Sequence, residues 1–226
     1  MSKLTGYEPI EINGEEIGSV SDFWSWSYSD LKEPTNRGDF AEYLIYLALK
    51  SSLSTEYYET RMDWDVVDFV YGRGILEPAE NGYFCDSTGY GWGIEVKSSS
   101  GSNRTGIRFQ TPEKHGHYFA TNTPVKVKRR WADIYIFALF RDDEEYSRSI
   151  LNPQEWEFYV TPAFLLTSGS VELRTLESTG IQPVPFTQLK VAVDRIIETN
   201  YQDLKSWKEQ HDLIKREFIE NGVLPA

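Results

Sequence analysis

The chain has 226 residues, 40% apolar, 15% aromatic and 26% charged, with a net charge of −12. That length suits one domain with a full core, and the single Cys85 excludes a disulfide framework and favours a reducing compartment. The acidic balance argues against non-specific nucleic-acid binding through basic surface, yet it is compatible with carboxylates gathered around Mg²⁺. Met1-Ser2-Lys3-Leu4-Thr5-Gly6-Tyr7-Glu8 has no apolar h-region, and the longest apolar runs are far too short to cross a bilayer. A cytoplasmic protein with no membrane partner is expected.

Ile17 to Leu31 carries Phe23, Trp24, Trp26 and Tyr28 between serines and aspartates. Phe23 and Trp26 have helix-compatible spacing, Ser21 or Asp22 suits a cap, and the aromatics are expected to pack as core or lid. Pro34-Thr35-Asn36 is a helix start, with Asn36 as N-cap and Asp39 in the first turn. The predicted helix, about Arg37 to Lys50, is apolar almost all round (Phe40, Ala41, Leu44, Ile45, Leu47, Ala48, Leu49), a mark of burial on more than one side. Glu42 shares a stripe with Ile45, Tyr46 and Leu49. An ionised carboxylate there needs a partner, either a metal or a cation such as Arg37 or Lys50.

Arg61 to Tyr71 reads as a strand entering a glycine turn at Gly72 and Gly74. Asp65 and Asp68 are three apart, so a regular strand points them to opposite faces. Turn signals at Pro78, Asn81-Gly82 and Gly89 mark a connection long enough to carry its own short strand or flap. In Gly93-Ile94-Glu95-Val96-Lys97-Ser98-Ser99, Glu95 and Lys97 project together while Ile94 and Val96 pack behind. A hard-cation ligand beside a fixed ammonium suits metal-assisted attack on a phosphodiester, whereas a solvated Glu/Lys pair on an exposed face would do nothing.

Ser98 to Ser102 is expected as a flexible loop. Lys126, Lys128, Arg129 and Arg130, with Arg104, Arg108 and Lys114 further back, form either a phosphate-facing stripe or a solvated edge. His115-x-His117 lacks a nearby third ligand and reads as a satisfied or exposed pair rather than a zinc site. Asp142-Asp143-Glu144-Glu145 reads as a solvated turn. Trp131 to Phe140 is a near-continuous hydrophobic strand, the pattern of a doubly covered central position. Glu155 to Val160 alternates as a further strand, Pro183 and Pro185 break the chain, and Thr187 to Glu220 is mostly helical with a stripe of Leu189, Val193, Ile196 and Ile197. This order of elements gives an α/β domain around a mixed sheet.

Glu42, an aspartate at Asp65 or Asp68, Glu95 and Lys97 thus occur in that order on helix, strand and strand. The succession resembles the PD-(D/E)xK nuclease superfamily. Arg37-Gly38-x-x-Ala41-Glu42-Tyr43-Leu44, Trp64-Asp65-x-x-Asp68-Phe69, Ile94-Glu95-Val96-Lys97-Ser98-Ser99, Ile107-Arg108-Phe109, Ala132-Asp133-Ile134-Tyr135 and Trp156-Glu157-Phe158-Tyr159-Val160 are similar to a group of its bacterial members without an assigned substrate. So is the opening Asp22-Phe23-Trp24-Ser25-Trp26. The resemblance implies a restriction-endonuclease-like core, a mixed β-sheet flanked by helices, here with a C-terminal helical extension. One domain is expected over residues 1–226: an aromatic N-terminal segment (1–35), the nuclease core (36–165) and a C-terminal helical segment (187–220).

By the same resemblance Asp68 matches the metal-binding aspartate, Asp68 and Glu95 hold one or two divalent ions, and Glu42 completes the shell. Lys97 stabilises charge or positions the attacking water. The implied function is Mg²⁺-dependent phosphodiester hydrolysis by a DNA endonuclease, with Mn²⁺ as substitute. Implied partners are DNA and either a second copy in a homodimer or a delivering protein. The alternative is a catalytically silent member that binds nucleic acid or protein. Two departures stand out: the connection from Gly72 to Gly91 is longer than the group's, and the segment after Lys97 lacks the glutamine many members carry there.

Overall fold

Ile134–Phe140 is apolar and buried at all seven positions, which fixes it as an interior strand. The computed structural model describes residues 4–53, 67–72, 76–77, 85–86, 91–102, 104–118, 123–142 and 148–220. The described chain opens with a hairpin of β1 (Pro9–Ile12) and β2 (Glu15–Ser19). Asn13 and Gly14 join them at positive φ, 54° and 83°, the left-handed pair that a two-residue hairpin turn requires.

Helix α1 (Val20–Tyr28) follows, capped by Ser19 in a capping box with Asp22 rather than by Ser21 or Asp22. It buries none of its residues, and Trp26 is 84% exposed. The aromatic segment is therefore not core. Its helix lies against β2, its own hairpin, and Phe23 and Tyr28 meet edge-on at 6.3 Å on the surface.

Helix α2 (Pro34–Leu49) starts earlier than the sequence predicts, because Glu33 rather than Asn36 caps it. The Glu33 carboxylate accepts from the N–H groups of Thr35 and Asn36 at 2.8 and 3.0 Å, and Pro34 takes a first-turn position that needs no donor. Ala41, Leu44, Ile45 and Leu49 are its buried residues.

The strands β3 (Phe69–Tyr71), β4 (Leu76–Glu77), β5 (Cys85–Asp86) and β6 (Trp92–Ser100) come next. Residues 61–66 of the expected first strand, Asp65 among them, lie outside the described residues, and β3 is its described end. The β4–β5 pair is the short structure anticipated between Asp68 and Glu95. Then follow β7 (Arg108–Gln110), β8 (Lys114–Tyr118), β9 (Thr123–Arg129), β10 (Ile134–Phe140), β11 (Trp156–Pro162) and β12 (Ser170–Glu172). Helices α3 (Leu173–Ser178), α4 (Leu189–Thr199) and α5 (Tyr201–Glu220) end the described chain.

The main sheet runs β11-β10-β6-β3, with β6 parallel to β10 and both outer strands antiparallel to their neighbours. The protein is thus α/β with a mixed sheet. On one face Ile94, Val96, Ile134 and Ile136 pack with Leu44 and Ile45 of α2 and with Leu189 and Val193 of α4. The opposite face carries Tyr135, Phe137, Leu139 and Tyr159 against Phe109 of β7 and Leu173 and Leu176 of α3. No described helix is long and apolar enough to cross a membrane.

One sequence expectation changes here. Ser98, Ser99 and Ser100 are not loop but the end of β6, paired with Ala138, Leu139 and Phe140. Backbone pairing with a fully buried strand outweighs the weak strand preference of serine. Lys126, Lys128 and Arg129, which precede β10, themselves lie within a strand, β9, which pairs antiparallel with β8.

Gly93 shows how tightly β6 is held. A Cβ there would meet Val67 Cγ1 at 2.9 Å and Asp133 Oδ2 at 3.6 Å. Val67 is β-branched and stiff, so it yields little. Gly93→Ala should therefore cost roughly 1–3 kcal/mol, read as a lower denaturant midpoint with an unchanged slope. An unchanged midpoint would refute the close approach.

Candidate active site

The site begins where β3 meets β6. Phe69 lies opposite Ile94 at the start of β3, and Asp68 directly precedes it. Asp68 is tied to β6 on both sides of Glu95: its N–H donates to the Ile94 carbonyl at 2.9 Å, and its Oδ2 accepts from the Val96 N–H at 2.6 Å.

Glu95 is 4% exposed, in the middle of β6. Strand alternation puts Lys97 on its face, and the Lys97 ammonium donates to Glu95 Oε1. A second ammonium reaches the same oxygen: Lys114 Nζ, at the start of β8, lies 2.8 Å from it. Burial pulls the Lys114 pKa down, but the charge and hydrogen bond of Glu95 and the charge of Asp68 outweigh this, leaving it raised. Tyr135 pairs with Glu95 across β10, and burial followed by the Glu95 charge pushes its hydroxyl pKa up.

The Asp68 carboxyl is pushed up to about 7. Burial is the largest cause, followed by the like charges of Glu95 and Glu42, against which Lys97 and the Val96 N–H act. Glu42 belongs to α2, which packs on the Ile94/Val96 face, opposite to the one Glu95 and Lys97 occupy. Its negative charge nonetheless reaches Asp68. At the other end of the helix–strand contact, Arg37 donates to Ser100 Oγ at 3.0 Å and to the Lys32 carbonyl at 3.2 Å.

The expected metal shell of three carboxylates is not assembled as such. Among the described residues no three of His, Cys, Asp and Glu are grouped to hold an ion. The donor set is instead an all-oxygen pair, Asp68 and Glu95, with Glu42 within electrostatic reach. That chemistry fits Mg²⁺, which keeps several waters and is commonly held by one or two carboxylates together with substrate phosphates.

No family model, curated protein or solved structure matches the chain.

Most of the suspected phosphate-facing stripe has other work. Arg104 binds Glu157, Tyr159 and Glu177, and Arg108 binds Glu172. Arg129 lies between the rings of Trp131 and Trp207, 5.6 and 5.4 Å from their centroids. Arg130 is buried and donates to the carbonyls of Thr111 and Ser168 at 3.0 and 2.6 Å. Lys128 and His115 are exposed, and the Lys126 and His117 side chains lie outside the described ones. Asp142 pairs with Lys32 at 2.9 Å, while residues 143–145 of the acidic run lie outside the described residues.

Lys114 is the site residue that motif spacing does not reveal. It follows Lys97 at no fixed motif distance, and only the return of the chain after β7 brings it to Glu95. The sequence signal was its basicity alone.

The raised carboxyl has a consequence for stability without metal. Because the folded value lies above the unfolded one, Asp68 contributes stability fully present below about pH 4, lost as pH rises through about 7. Asp68→Asn removes that loss. In EDTA its melting temperature should exceed wild type above about pH 8, by roughly 2–4 °C per kcal/mol relieved, and the gap should close toward about pH 4. A gap independent of pH would refute the assignment.

Proposed function

We propose that this protein is a Mg²⁺-dependent nuclease, a DNA endonuclease with a restriction-endonuclease-like core. The observation that carries the reading is Asp68 tied to β6 through Ile94 and Val96, on either side of Glu95, with the Lys97 ammonium on Glu95. Burial concentrates these charges where water screens them least. Lys114, which begins the acid-free segment 114–130 in a chain of net charge −12, reaches the site through Glu95 Oε1.

Asp68 and Glu95 would hold the ion, and Glu42 would act on it through water. A bound divalent ion supplies Lewis acidity toward a phosphate and lowers the pKa of a coordinated water. Lys97, fixed by its strand, offers its ammonium to the phosphate oxygen on which charge develops or to the attacking water. Tyr135, kept protonated by its raised pKa, lines the Glu95 side as a neutral neighbour. In-line hydrolysis of this kind needs positioning and charge stabilisation rather than a covalent intermediate.

A second reading, a catalytically silent binder on the same fold, is favoured by one observation: Glu95 already has two ammonium partners. The test is cleavage of single- and double-stranded DNA, RNA and modified DNA with Mg²⁺ or Mn²⁺ against EDTA. Metal-dependent cutting or nicking is expected on at least one substrate. Glu95→Ala and Lys97→Ala should each lower the rate at least about a hundredfold, while binding measured in Ca²⁺ changes far less. Absence of cleavage across the whole panel, with nucleic-acid binding retained, would establish the second reading instead.

A further inference from the structure

Glu95 Oε1 accepts from two lysines of different character. Lys97 stands on the same strand, with 24% of its side chain exposed. Lys114 comes from β8, and its side chain is 53% exposed. Its backbone is the fixed part: the Lys114 carbonyl accepts from the Trp131 indole N–H at 2.9 Å. Just before it, buried Arg130 holds the Thr111 carbonyl and stands 3.7 Å from Glu113. A fixed root beneath a four-carbon stem lets the ammonium leave Glu95 without disturbing the fold. Lys97 alone can match the single charge of Glu95, so the second cation is surplus to the carboxylate's own needs.

We propose that Lys114 is the exchangeable cation of this site: it neutralises Glu95 in the metal-free protein, yields that oxygen to a divalent ion, and then turns its ammonium to the substrate phosphate. The geometry is competitive, because an ion held by Glu95 Oε1 needs the lone pair that the Lys114 ammonium occupies at 2.8 Å. Only the last clause rests on the nuclease reading. The competition itself is a property of the free protein and metal.

The test is calorimetric titration of Mn²⁺ into the full chain, wild type against Lys114→Gln and Lys114→Arg, without nucleic acid. Lys114→Gln should bind Mn²⁺ roughly tenfold more tightly than wild type, whereas Lys114→Arg, which keeps a competing cation, should stay within about threefold. In unaltered protein, acetylation of Lys114 followed by mass spectrometry should run faster with Mn²⁺ than with EDTA. That arm does not depend on any variant folding. Equal affinities in wild type and Lys114→Gln, or an acetylation rate indifferent to Mn²⁺, would overturn the exchange while leaving the metal reading intact. Failure of wild type and variants alike to bind Mn²⁺ at millimolar concentration would overturn both.

Discussion

The buried carboxylate of Glu95 is the constraint on which the rest of the site depends. Taking such an ion out of water costs several kcal/mol unless a counter-charge comes with it. Lys97 arrives through the strand period alone, since residues two apart share a face. Lys114 has to be delivered from another element, and the contacts of Arg130 and Trp131 with the chain around it accomplish that. Asp68 is left with weaker compensation: the charge of Lys97 and one backbone N–H do not balance burial and two like charges. The result is two adjacent carboxyls in different surroundings, one bound by two lysines, the other pushed up to about 7 by burial and like charge. Environment alone separates them.

The two faces of β6 have different duties. Ile94 and Val96 are committed to the core beneath α2 and α4, where any polar group would be costly. The odd-numbered face must hold Gly93, Glu95 and Lys97, and its geometry is set from the neighbouring strands. Asp133, just before β10, accepts from the Gly93 N–H at 2.8 Å and faces Lys208 of α5 at 3.6 Å. Trp207, the residue before that lysine, donates to the Ala132 carbonyl at 3.0 Å. The C-terminal helix therefore buttresses the β6–β10 entry just ahead of Glu95, which gives it a part in holding the site.

What the sequence made legible follows from short-range periodicity. The apolar runs of β10 and β11, the buried stripe of α2 and the shared face of Glu95 and Lys97 each depend on residues close along the chain. Asp68 beside Glu95 was legible through a resemblance in residue order, because contacts between distant segments leave no local mark. The same reason hid Lys114, whose partner is determined by tertiary return rather than by spacing. Ser98 to Ser100 misled because composition suggested a loop where a buried neighbour imposed a strand. Trp26 and its aromatic neighbours misled in the opposite direction, since a large apolar side chain is a poor guide to burial when its helix packs on a small hairpin. Asn13-Gly14, a strong local hairpin signal, was in the sequence throughout.

Net charge and site charge can be reconciled by considering when each acts. A chain at −12 repels a polyanion at long range, which suppresses indiscriminate holding of nucleic acid. Positive potential is then needed only at the point of chemistry. In the metal-free arrangement the two site ammonium groups are spent on Glu95, so little is offered to a phosphate. Exchange at Glu95 would change that sign locally: an ion takes over the carboxylates, and Lys114 becomes available a few ångströms away. Affinity for a phosphate backbone would then depend on the site being loaded, so an acidic surface and a polyanionic substrate are not in conflict. The same surface that discourages empty encounters would leave the loaded site as the place where a phosphate meets unspent positive charge.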